Sequence, residues 1–141
     1  MIVQIYEIQN PEEAESCLAL GVDRIGSVLL SEAEWRRPSI REVIGLVQKA
    51  QLKSSLIPLF SNLEQLFSAM DYYRPDFVHF CESLTDERGR ILGLEPIIEK
   101  QLLFRRKFPE IGIVRTLPVP APGRAPGFPA LEISSALEES S

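Results

Sequence analysis

The chain has little of the chemistry that metal centres and redox sites need. It carries one histidine and two cysteines in 141 residues. Cys17 and Cys81 stand 64 positions apart, with no CxxC and no Cys/His cluster, so no zinc site is expected. The single histidine, His79, leaves no His-based metal centre, and no metal is expected. No apolar run approaches the ~18 residues that a membrane helix requires, so no membrane partner is expected. Met1-Ile2-Val3-Gln4 has no basic segment, so the expectation is a cytoplasmic protein with reduced thiols rather than a secreted one. The net charge of −5 argues against a nucleic-acid partner, which calls for a basic surface. Phosphate loops of the GxGxxG and Walker types are absent. So are the GxSxG and HExxH motifs of hydrolases.

What is present is an ordinary globular composition, with 45% hydrophobic and 25% charged residues. That much apolar content excludes disorder of the whole chain. The length suits a single α/β domain. Within it the pattern alternates between short β-rich runs and capped helical segments. Ile2 to Ile8 is the first run. Asn10-Pro11-Glu12-Glu13 then reads as an N-cap, a proline at N1 and a glutamate at N3, and Gly21 ends the helix. Arg24 to Leu30 is the second run, followed by a polar connection and a capping box, Ser39-Ile40-Arg41-Glu42. Ser55 to Phe60 is the third, with Pro58 predicting a bulge or irregularity. Asn62 caps the next helix. Asp76 to Cys81 is the fourth run, and a helix with Leu94, Ile97, Ile98 and Leu102 on one stripe follows. Ile111 to Leu117 is the fifth. Five of the eleven prolines then fall between Pro118 and Pro129, which predicts a loop over 118–129. A short helix is expected over 130–139.

The βα pattern, repeated about five times across residues 2–117, implies parallel strands with right-handed crossovers. Two architectures fit. One is a doubly wound, flavodoxin-like sheet, complete at this length. The other is about five of the eight units of a βα barrel, which normally needs ~250 residues. The doubly wound reading loses its two commonest functions. No acidic cluster marks the early strand ends, and the acidic Gln9-Asn10-Pro11-Glu12-Glu13 would repel a phosphate.

Four segments resemble phosphoribosylanthranilate isomerase, a (βα)8 barrel of tryptophan biosynthesis. Gly21-Val22-Asp23-Arg24-Ile25-Gly26-Ser27-Val28 is similar to that family's "G-A-D-x-I-G-F-V" second strand. Ile5-Tyr6-Glu7-Ile8 followed by Asn10-Pro11-Glu12-Glu13-Ala14 resembles its first strand and the start of its first helix. Pro58-Leu59-Phe60-Ser61-Asn62 and Asp76-Phe77-Val78-His79-Phe80-Cys81-Glu82 resemble its third and fourth strands. The resemblance implies a partial TIM barrel, truncated within this chain. It also implies an intramolecular oxidoreductase, an aldose–ketose isomerase that performs an Amadori rearrangement on a small phosphorylated sugar-amine without a cofactor. The family uses a cysteine base ending strand one, an aspartate acid ending strand six, and a phosphate site after strands seven and eight.

The chain departs from this pattern where the chemistry lies. Tyr6 stands at the cysteine's position, and a phenol is a poorer general base than a thiol. Glu7 stands where the family has glycine and is the candidate replacement base. Cys81 replaces a histidine and His79 a glutamine. Arg36 or Arg37 matches the arginine that grips the anthranilate carboxylate. Arg115, between Val114 and Thr116, is expected to face the lumen or a cleft, there to bind an anion or simply to reach solvent through an unclosed side. Tyr6 and Glu7 are thus the catalytic candidates, and Arg36, Arg37, His79, Cys81 and Arg115 the substrate-binding ones. The plainer alternatives are a packed aromatic for Tyr6, a helix-capping charge for Glu7, core packing for His79 and Cys81, and solvated charges for Arg36 and Arg37. The expected function is an isomerase-like protein that is inactive as this chain. The alternative is a non-catalytic binding or assembly module that self-associates through open sheet edges.

Overall fold

The structure, a computed structural model, describes residues 1–117. The loop expected over 118–129 and the helix over 130–139 lie outside the described residues. Five strands alternate with four helices: β1 (Gln4–Ile5), α1 (Pro11–Ala19), β2 (Arg24–Leu29), α2 (Pro38–Lys49), β3 (Lys53–Pro58), α3 (Leu63–Tyr73), β4 (Phe77–Phe80), α4 (Glu95–Lys107) and β5 (Gly112–Arg115). The sheet order is β1-β2-β3-β4-β5. β1 to β4 pair in parallel, in the registers Gln4 to Arg24, Gly26 to Ser55 and Ser55 to Phe77. This sequential order belongs to a βα barrel. The doubly wound alternative needs β1 inside the sheet, and it is excluded.

Two compact units divide the described residues: Met1–Cys81 with Glu110–Val114, and Glu82–Pro109 with residues 115–117. In the first, Ile8, Ala14, Val22, Ile25, Val43 and Val47 form a core between β2 and the helices α1 and α2. β2 and β3 are buried along nearly their whole length, as parallel strands covered on both faces are. Two aspartates fix the strand starts by the same device. Asp23, just before β2, accepts the Val3 N–H at 2.7 Å, and Asp76, just before β4, accepts the Ser54 N–H at 2.9 Å.

The caps follow the sequence in two helices and not in the third. Asn10 accepts from the Glu13 N–H at 3.0 Å and Asn62 from the Gln65 N–H at 3.1 Å. α2, however, starts at Pro38 with Arg37 as its cap residue, so Ser39 is inside the helix and the capping box does not form. A proline at N1 starts the helix without needing a cap side chain. Tyr73 does the positioning instead: its hydroxyl accepts the Arg37 N–H and donates to the Trp35 carbonyl, both at 2.7 Å. Pro58 makes no bulge. It is the last residue of β3, in register with Leu29 and beyond the last β3–β4 pair, Leu56 with Val78, while the Leu59 N–H still reaches the Leu29 carbonyl at 2.9 Å.

In the second unit, Leu84 and Leu94 are buried with Ile97 and Ile98 packed against them. The stripe of α4 continues through Gln101 and Phe104, which are buried, rather than through Leu102. Asp86 organises the loop before α4 by accepting the Arg88 and Arg90 N–H groups, each at 2.9 Å.

Candidate functional site

Because side chains alternate along a strand, Ile25 on the helix-covered face puts Arg24, Gly26 and Val28 on the other face. The register extends that face to Gln4 and Tyr6 on the first segment, to Ser55 on β3 and to Phe77 and His79 on β4. Tyr6 follows the last residue of β1 and lies across Gly26: a Cβ on Gly26 would stand 2.7 Å from its Cδ1. Its ring reaches His79, with centroids 5.7 Å apart and planes inclined by 51°. The same geometry recurs one step earlier along the strands. Phe77 lies over Gly112, whose Cβ would be 2.5 Å from its Cδ1, and the Arg24 guanidinium sits 4.8 Å from the Phe77 ring centre. Glycine is needed at both positions because the neighbouring ring occupies the space of a side chain. Ser55, between these rows, is buried and its hydroxyl has no hydrogen-bond partner.

Glu7 is exposed and its backbone is left-handed, with φ 62°. That is the conformation glycine favours, and a glutamate holds it at a cost. The turn lets the chain rejoin β2. The Ile8 N–H reaches the Gly26 carbonyl at 3.0 Å, and the Gln9 side chain bonds both the N–H and the carbonyl of Val28 at 2.9 Å. Cys81 follows β4, and its Sγ approaches the His79 carbonyl at 4.0 Å. Arg36 stacks on the Tyr72 ring of α3 at 4.8 Å, and Arg37 donates its backbone N–H to the Tyr73 hydroxyl. The structure therefore brings Tyr6 and His79 together, and places Arg36 and Arg37 against α3.

Arg115 and its surroundings form a second cluster, in the other unit. Its Nη2 donates to the Glu82 carbonyl and its Nη1 lies by Glu82 Oε2, each at 2.8 Å. Lys100 of α4 pairs with Oε1 of the same carboxylate at 3.1 Å. Burial pushes the Glu82 carboxyl up, but its own backbone N–H and the charges of Lys100 and Arg115 outweigh this, and its pKa lies below the ordinary glutamate value. Sequence reading passes over Glu82 and Lys100 as parts of polar stretches. The one signal for Glu82 is its place just past a strand's C-terminal end, where βα barrels concentrate functional side chains. Among the described residues no group of three His, Cys, Asp or Glu side chains could hold a metal ion. No helix there is long and apolar enough to cross a membrane.

Five parallel strands in sequential order, alternating with helices, define the fold as part of a TIM-type βα barrel. The solved structures it is similar to are of that kind. One is N-(5'-phosphoribosyl)anthranilate isomerase from Pyrococcus furiosus, with a TM-score of 0.63 and 16% identity over 99% of this chain. Another is the YdjI aldolase from Escherichia coli K12, with a TM-score of 0.56 and 7% identity over 82% of this chain. The chain spans 60% of the length of the first and 51% of the second. No protein-family model and no curated protein sequence matches the chain.

Proposed function

We propose that this chain is a phosphoribosylanthranilate isomerase-like protein of tryptophan biosynthesis that does not itself carry out the Amadori rearrangement. The observation that carries this reading is the Tyr6 ring, held across Gly26 and against His79 at the C-terminal end of the first strand. The rearrangement needs a group that takes a proton from the sugar carbon and another that protonates the ring oxygen. A phenol stands in place of the family's thiol at the base position, and a positioned base is worth about 10²–10⁴-fold. Among the described residues no sixth strand offers an acid. Arg36, stacked on Tyr72, and Arg37, at the start of α2, could still grip a carboxylate, but gripping alone does not catalyse.

The test is growth of a tryptophan auxotroph lacking this isomerase, supplied with the wild-type chain or with Tyr6→Cys. Neither is expected to restore growth, since Tyr6→Cys returns a base while the described residues supply no sixth-strand acid. Growth with wild type would overturn the proposal and make Glu7 the leading base, to be checked by Glu7→Gln.

A second reading, an assembly module, is favoured by the exposed apolar side chains of Ile2 and Val3, just before β1, and of Ile5 in β1, the terminal strand of the sheet. Edge strands with apolar exposure recruit other chains. Sedimentation at ~10 μM should then show dimers or larger species; a clean monomer removes this reading.

A further inference from the structure

Gly45 lies in the middle of α2 and is exposed. Glycine is the poorest helix former after proline, so its presence there calls for a reason. At Gly26 and Gly112 a neighbouring ring takes the space of the missing side chain. At Gly45 nothing beyond its own helix lies within 4 Å of where a Cβ would stand. Its bare backbone instead lines a surface groove of about 360 Å³ between α1 and α2. Pro11 and Glu15 form the α1 wall, and Glu42, Leu46 and Lys49 flank Gly45 on α2. Glu15, Glu42 and Lys49 are exposed and have no ion-pair partner among the described residues.

Along α2 the groove reads Glu42, Gly45, Lys49: an acid, a bare backbone three residues on, and a base four residues further. α4 carries the complement in reverse. Arg106, Leu103 and Glu99 follow the same spacings from the C-terminal end, and all three are exposed, Leu103 by 40%. Residues at such spacings share one helix face. Each stripe spans seven residues, about 10.5 Å of helix axis. Glu99 and Arg106 also have no ion-pair partner among the described residues.

We propose that this groove receives α4 of a second copy of the chain, antiparallel to α2. Leu103 then sits over Gly45, Arg106 meets Glu42, and Glu99 meets Lys49. Glycine at the crossing lets the two helices approach closely, and Pro11 and Leu46 give Leu103 apolar neighbours. Docked in parallel, Glu99 would face Glu42 and Arg106 would face Lys49, so charge selects the antiparallel direction. The contact depends neither on the isomerase-like reading nor on pairing at the β1 edge.

Sedimentation equilibrium of the full chain from about 10 to 500 μM, at fixed low ionic strength, measures the self-association. Glu42→Arg and Arg106→Glu each set like charges face to face, and each should weaken it about tenfold without lowering the melting temperature. Mixed in equal amounts, the two variants should associate as wild type does, because each contact between unlike copies again pairs opposite charges. Gly45→Leu fills the groove. It should weaken association about tenfold while raising the melting temperature, since leucine is the better helix former. A wild-type chain that stays monomeric across the range overturns the proposal. So does a mixture that associates no better than its components, or association unchanged by Gly45→Leu. Association that ignores both charge reversals also overturns it, and assigns the contact to another surface such as the β1 edge.

Discussion

The ring of Tyr6 occupies the volume that a side chain at Gly26 would need. Gly26 sits in β2, and its lack of a side chain lets the aromatic group cross that strand and meet His79. The pair is a packing relationship that also fixes what stands at the end of the first strand.

Gly26→Ala should therefore destabilise the fold by about 1–3 kcal/mol, the usual cost of overpacking. In a Tyr6→Ala background the same change should cost much less, because the clashing ring is gone. Urea denaturation of the four proteins of this cycle measures the coupling. Additive effects would show that the Tyr6 ring moves aside freely.

Glu7→Gly should stabilise the protein by up to about 1 kcal/mol. The left-handed backbone at φ 62° costs about 1–2 kcal/mol for a residue with a side chain, partly offset by the freedom glycine adds to the unfolded chain. Thermal melts check this. A loss of stability would mean that the Glu7 side chain makes a compensating contact.

Asp76 ties β4 to β3 and should make stability depend on acid pH. Burial works against its charge, but the Ser54 N–H, the Lys53 ammonium and the Ser54 hydroxyl outweigh that, so its folded pKa lies below the ordinary value. A depressed carboxyl contributes stability that is present above the unfolded pKa of about 4 and fades as pH falls through the folded one. Asp76→Asn should cost about 1.5–3 kcal/mol at pH 7 and progressively less below pH ~4. Lys53→Met should cost under about 1 kcal/mol, since that ammonium is 59% exposed. Denaturation curves of Asp76→Asn and wild type that stay equally separated at pH 7 and pH ~3 would contradict this linkage.

Tyr73→Phe should destabilise by about 1–2 kcal/mol, because the Arg37 N–H and the Trp35 carbonyl lose their shared hydroxyl. Burial raises the Tyr73 pKa, against the opposing hydrogen bond from the Arg37 N–H. A raised pKa contributes stability present below the unfolded value of about 10 and lost as pH climbs through the folded one. Wild type should thus weaken in strong alkali more than Tyr73→Phe does, as circular dichroism melts would show.

Much of the fold was legible because it is written locally. Asn10 and Asn62 each bond the N–H three residues on, and Gly21, with φ 78°, ends α1 as a stop signal should. The alternation of apolar runs with capped helices made parallel strands the only economical arrangement. The start of α2 was misread because Ser39 and Glu42 fit a capping pattern, while the actual constraint comes from Tyr73, 36 residues beyond Arg37. The α4 stripe was misplaced at Leu102 because a buried Gln101 is a tertiary fact that side-chain polarity hides.

The sequence by itself determined the five βα units and two of the caps, since turn chemistry and periodicity act within a few residues. Only the tertiary structure decided the order of the strands. The 1-2-3-4-5 and 2-1-3-4-5 sheets use the same units, and choosing between them depends on pairings across crossovers. It alone joined Tyr6 to His79 and Arg115 to Glu82, pairs separated by 73 and 33 positions. Local propensity carries no information over such distances; the strand register and the packing of side chains on one face supply it.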